Sequence, residues 1–126
     1  MATTPNYGST PRCGSVQVTN GDGTTAKDVA NFTPPAAGTR VKEIRCHSGP
    51  TTAPGGTYTV VVLVHDGANA RIVEKFSLSN AVDTRQAIFR FDSLLLPSGY
   101  KLQVQMRTTL ASGATLDFIV EGEDLT

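Results

Sequence analysis

Tyr100-Lys101-Leu102-Gln103-Val104-Gln105-Met106-Arg107 is the stretch that decides the fold. Tyr100, Leu102, Val104 and Met106 share one parity; Lys101, Gln103, Gln105 and Arg107 share the other. Successive side chains of a strand point to opposite faces, so this segment has one dry face and one wet face. Working outward, similar segments recur with no convincing helix between them. Strands are expected over residues 13–19, 27–33, 40–47, 57–65, 70–78, 85–92, 100–108 and 114–121. Thr57 to His65 carries Val60, Val61, Val62, Leu63 and Val64, residues that favour strands. Apolar groups on both of its faces imply burial on both, or burial of one face in a partner. Gly-containing turns separate the segments: Asn20-Gly21-Asp22-Gly23, Asp66-Gly67-Ala68-Asn69 and Ala111-Ser112-Gly113. About eight strands at this cadence predict an all-β, single β-sandwich, jelly-roll-like and antiparallel.

The first dozen residues lack alternation. The expected division is an extended N-terminal arm over 1–12 and a β-sandwich domain over 13–126. The arm holds three candidate protein-interaction residues, Asn6, Tyr7 and Arg12, since Tyr and Arg are common interface anchors. Ile88 and Ile119 fall on otherwise polar strand faces. If they join Val61 and Leu63 in one patch, that patch is a possible oligomer face.

With 126 residues, 11 basic and 11 acidic side chains, the chain is one neutral domain. Neutrality supplies no overall field for nucleic acid or anionic lipid, so neither is expected as a partner. No apolar run approaches membrane-spanning length. Met1 to Pro5 lacks the basic start and apolar stretch of a secretion signal. Cys13 and Cys46 are too few for a disulfide framework and are expected to be reduced.

Chemistry is sparse. His65-Asp66 could pair a base with its orienter, but strand neighbours point apart, and Asp66 opens a Gly-containing turn where Asp bonds local backbone. His47-Ser48 lacks a nucleophile-elbow pattern, and Cys46 beside His47 meets the same geometric objection. The two histidines and two cysteines lack metal-ligand spacing. Asn20 to Thr24 resembles the start of a calcium loop but lacks Gly at the sixth position and an acid at the twelfth. No phosphate-binding loop occurs. No catalytic, cofactor-binding or metal-ligating residue is assigned, and no cofactor or enzymatic activity is expected.

Five segments in order carry a resemblance: Thr4-Pro5-Asn6-Tyr7-Gly8-Ser9-Thr10-Pro11-Arg12, Asp22-Gly23-Thr24, Gly38-Thr39-Arg40-Val41-Lys42-Glu43-Ile44, His65-Asp66-Gly67-Ala68-Asn69 and Leu95-Leu96-Pro97-Ser98-Gly99-Tyr100-Lys101-Leu102. Together they resemble small tailed-bacteriophage virion proteins similar to capsid decoration, or cement, proteins. The resemblance implies a β-sandwich that binds the outside of the head and clamps neighbouring subunits. Its implied partners are the major capsid protein and copies of itself, as a homotrimer or dimer. Its implied place is the capsid surface, after synthesis in the host cytoplasm. A tail, spike or fibre-associated binding module is the alternative. Glu121-Gly122-Glu123-Asp124-Leu125-Thr126 is more acidic than the family pattern, and residues 50–56 form a distinct loop.

Overall fold

The computed structural model describes residues 10–125. Eight strands follow one another: β1 (Thr10–Thr19), β2 (Lys27–Asp28), β3 (Thr39–Ser48), β4 (Thr59–His65), β5 (Ala70–Ser77), β6 (Arg85–Leu96), β7 (Lys101–Met106) and β8 (Thr115–Asp124). A short 3-10 turn, Asn20–Asp22, follows β1. The front sheet has the order β1-β8-β3-β6 and the back sheet β2-β7-β4-β5. Strand pairs 1–8, 2–7, 3–6 and 4–5 are all antiparallel. That nesting is one long hairpin rolled over on itself, the jelly-roll form of the expected sandwich.

The alternation read in the sequence places the core. Leu102, Val104 and Met106 of β7 meet Val60, Val62 and Val64 of β4 and, from the front sheet, Ile44, Leu116, Phe118 and Val120. These residues are buried, Phe118, Val120 and Leu116 completely. Burial of such side chains contributes roughly 1.5–3 kcal/mol each.

Most boundaries shift by a residue or more, β8 running on to Asp124, and the differences at β1, β6 and β2 change the reading. β1 begins at Thr10 and pairs with β8 from its first residue, so the last part of the expected arm is strand. Residues 1–9, with Asn6 and Tyr7, lie outside the described residues. β6 runs on through Leu94 and Leu96, which pair with Val41 and Thr39, beyond the expected end at residue 92. Apolar residues there serve the sheet, because their cross-strand partners are buried.

The second expected strand shrinks to Lys27–Asp28. Val29 still donates to Leu102 O of β7 at 2.9 Å; beyond it Asn31 takes a left-handed backbone (φ 60°), and Ala30 to Phe32 leave the back sheet to cross the edge of β1. Ala30 and Ser15 exchange backbone hydrogen bonds at 2.9 and 3.2 Å. Gly14 makes the crossing possible, for a Cβ there would lie 2.6 Å from Ala30 O and 3.0 Å from Phe32 Cβ. Phe32 then lies in the core over Gly122 of β8, where a Cβ would lie 3.1 Å from its ring.

Candidate interaction surfaces

The four expected patch residues do not share a face. Val60, Val62 and Val64 enter the core, so alternation sends Val61 and Leu63 to the outside of the back sheet. Val61 stands between Lys75 and Gln105, and Leu63 between Ile72 and Gln103. Directly opposed side chains lie about 5 Å apart, and the aliphatic stems of these neighbours cover both residues. Val61 is 1% and Leu63 6% exposed. The doubly apolar strand is therefore buried on both faces within one chain. Ile88 and Ile119 lie on the other side of the molecule, outside the front sheet, where each is a cross-strand partner of Arg45. Ile119 is 47% exposed. It borders a shallow hollow of about 280 Å³ with Arg45, Cys46, His47, Arg85 and Asp117.

Around that hollow the outer face is charged but internally paired. Arg45 reaches Glu43 at 2.7 Å and Glu121 at 2.6 Å, and Arg90 reaches Glu43 at 3.0 Å. Glu123 takes Arg40 at 3.4 Å and Lys42 at 3.3 Å. The basic trio Arg40, Lys42 and Arg45 is thus neutralised by β8 and Glu43. Exposed pairs of this kind contribute little to stability; they make the surface polar without giving it a field.

The acidic C-terminal stretch and the start of β1 meet in a clasp. Arg12 donates to both carboxylate oxygens of Asp124, through Nε at 3.0 and 3.1 Å and through Nη2. Thr39 Oγ1 of β3 donates to Asp124 at 2.7 Å. Arg12 Nη1 also reaches Asn31 O at 3.4 Å. The Arg12 hydrogen bonds, reinforced by Thr39, hold the Asp124 carboxyl below the usual carboxylate range, and Asp124 in turn raises Arg12. Of the three expected arm contacts, Arg12 is therefore engaged inside its own chain. Sequence spacing cannot reveal a pair separated by most of the chain; only the β1–β8 register brings it together.

A third surface escaped the sequence reading. Where β5 and β6 form the facing edges of the two sheets, Val73, Phe76, Ala87, Phe89 and Phe91 are only partly buried against the core. The rings of Phe76 and Phe89 lie 5.6 Å apart and tilted, a favourable aromatic geometry. The alternation of Ala87, Phe89 and Phe91 marks an inward face, but nothing local says that the strand is an edge.

The residue pairs weighed for catalysis do structural work. Asp66 Oδ1 accepts the backbone N–H groups of Asn69 at 2.7 Å and Ala68 at 2.9 Å, which lower its pKa. His65 Nδ1 accepts Gly67 N–H at 3.1 Å. Cys46 is buried, and burial pushes its thiol pKa up, away from a reactive thiolate. Ser48 Oγ donates to Ala81 O at 2.8 Å and accepts Thr84 N–H at 2.9 Å. Among the described residues no group of three or more His, Cys, Asp or Glu is gathered for a metal.

No protein-family model and no curated protein matches the chain. Solved structures do. A chain of the cyanophage Pam1 capsid asymmetric unit superposes with TM-score 0.56 at 20% identity, over 98% of this chain and 91% of that one. A pentameric capsid protein from metagenomic phage sequences superposes with TM-score 0.51 at 18% identity, over 91% of this chain and 66% of the other. The eight-stranded jelly roll of this chain is therefore a fold that it shares with phage capsid proteins.

Proposed function

We propose that this protein is a structural virion component that binds the outside of a tailed-phage head and stabilises it by clamping neighbouring major capsid protein subunits, as a decoration or cement protein. The observation that carries the reading is the fold match over nearly the whole of both chains to a cyanophage capsid component. The order of the Thr4–Arg12 and His65–Asn69 segments points the same way. The protein acts without catalysis or cofactor, at the capsid surface after synthesis in the host cytoplasm, as a homotrimer or dimer. Neither nucleic acid nor membrane is a direct partner.

The physical properties suit such a role. A stiff two-sheet core transmits load between attachment points. A front face on which Arg40, Lys42, Arg45 and Arg90 are paired with Glu43, Glu121 and Glu123 tolerates close approach to copies of itself. Residues 1–9 leave from a point fixed by the Arg12–Asp124–Thr39 clasp, and Asn6 and Tyr7 supply partner contacts there. Fixing a backbone residue on a partner opposes binding by about 1–2 kcal/mol. Repetition over a symmetric shell offsets this through avidity.

The test is to add purified protein to shells assembled from the major capsid protein alone and to image the particles. Occupancy at stoichiometries fixed by shell symmetry, with a raised disruption temperature, is the expected outcome. Absence from shells combined with binding to host cells would replace this reading with the tail or fibre module.

A further inference from the structure

We propose that the aromatic seam on the β5–β6 edge receives residues 1–9 of a second copy of this chain, with Tyr7 as the anchor. The inference rests on the self-assembling part of the reading above and names its donor and acceptor.

The acceptor is the most open of the four sheet edges. β1 is crossed by Ala30, which bonds to Ser15 in both directions. β2 has two residues. β5 carries Arg71, Glu74 and Lys75 and a register shift beside Leu63. Charges and bulges of this kind discourage strand addition; β6 also carries Arg85, Arg90 and Asp92, but its straight run Ala87–Arg90 holds one charge, where the straight run Glu74–Ser77 of β5 holds two. β6 has only β3 beside it; among the described residues its backbone bonds to no other backbone, and only the Gln86 side chain reaches the Ser79 backbone, at 2.7 and 2.9 Å. Its register with β3 is regular from Ala87 to Arg90 and shifts on either side, so the run open to a new strand is short. Beneath that run lie Phe89 and Phe76, half-covered. An added strand would complete the hydrogen bonding of β6 and cover the rings together.

The occupant follows from where the chain departs. Thr10, Asp124, Thr39 and Leu96 are successive partners in one row across the front sheet. Three strand spacings separate Thr10 from β6, roughly 14 Å. Arg90 lies about another 20 Å back along β6 from Leu96. Tyr7 is attached to Thr10 by a tether of about 10 Å at full extension. It cannot reach the seam of its own chain; it can reach that of a neighbour. Residues 1–9 contain no charged side chain, so none need be desolvated beside the aromatic rings. Asn6 to Ser9, between Pro5 and Pro11, keep all their N–H donors and match the short open run of β6 in length. Tyr7 suits the site because its ring covers apolar surface while its hydroxyl stays wet. The mode is strand addition, with backbone bonds for affinity and one side-chain anchor for register.

The experiment uses the full chain with Cys13→Ser. Copies carrying Asn6→Cys are mixed with copies carrying Arg90→Cys, whose native side chain is 80% exposed, and oxidised gently. A cross-linked pair forms in the mixture, while a control with Ile119→Cys as acceptor links at least tenfold less. In parallel, removal of residues 1–9 weakens self-association in sedimentation at least tenfold, and Tyr7→Ala reproduces most of that loss with an unchanged thermal transition. Equal linking at Ile119, linkage within one chain when both cysteines are combined, or unchanged association after the deletion overturns the proposal. So does a wild-type chain that stays monomeric, a result that leaves capsid binding, scored on shells, standing.

Discussion

Phe32 closes one end of the sandwich, and its truncation tests that account. The side chain is 3% exposed, lies in the main core and packs on two glycines, Gly14 and Gly122. Phe32→Ala removes the ring from a site where neither glycine offers atoms to fill the space. Large-to-small changes at such sites lose transfer energy and leave a cavity, together about 3–5 kcal/mol. For a domain of this size each kcal/mol moves the thermal midpoint by roughly 3–5 °C, so the expected fall is about 9–25 °C. Gly122→Ala attacks the same contact from the opposite side. Its Cβ would press on Arg40 O as well as on the Phe32 ring, and overpacking of this kind costs about 1–3 kcal/mol. In the double variant the ring clash disappears but the Arg40 clash remains. The two effects therefore sum to less than their separate values, by about 0.5 kcal/mol or more. Urea unfolding of the four proteins measures each value. A Phe32→Ala loss below about 1 kcal/mol, or strict additivity with Gly122→Ala, would refute the wedge.

Other outcomes follow from the clasp, the thiols and the front face. Asp124 has a depressed pKa, so the stability it contributes is complete above the ordinary carboxylate range and is lost as pH falls through its lowered value. Asp124→Asn should remove about 2 kcal/mol at neutral pH and flatten the acid limb of a stability-versus-pH curve below about pH 4; an unchanged limb would show that the clasp does not contribute. In native protein iodoacetamide should modify Cys13 rapidly and Cys46 only after unfolding, because Cys13 is exposed and Cys46 is buried with a raised pKa; mass spectrometry showing two fast sites would contradict this. Ile119→Lys should change unfolding free energy by no more than about 0.5 kcal/mol, since Ile119 is half-exposed between polar neighbours; a larger loss by urea titration would mean that it supports the core.

The number and type of elements are legible in the residues alone. Alternation in 100–107 and its recurrences reports which side chains avoid water, and that is a local property of a strand. The Asp66 turn is legible there too, because a carboxylate bonds the backbone two and three residues on within one short loop. Everything that depends on strand order comes from the folded chain instead. Val61 and Leu63, in a strand apolar on both faces, and Ile88 and Ile119, on otherwise polar faces, could all belong to one patch by sequence, yet they lie on opposite outer faces of the molecule. Arg12 reads as a free arm residue until β8 is laid beside β1 and delivers Asp124. Ala30 to Phe32 read as strand, but Gly14 and Gly122 open a path that draws them across the edge. Half-covered phenylalanines mark an open edge only once β5 and β6 are known to end their sheets. Parity is written into each segment; the pairing of distant segments is set by the packing of all of them at once, which no single stretch encodes.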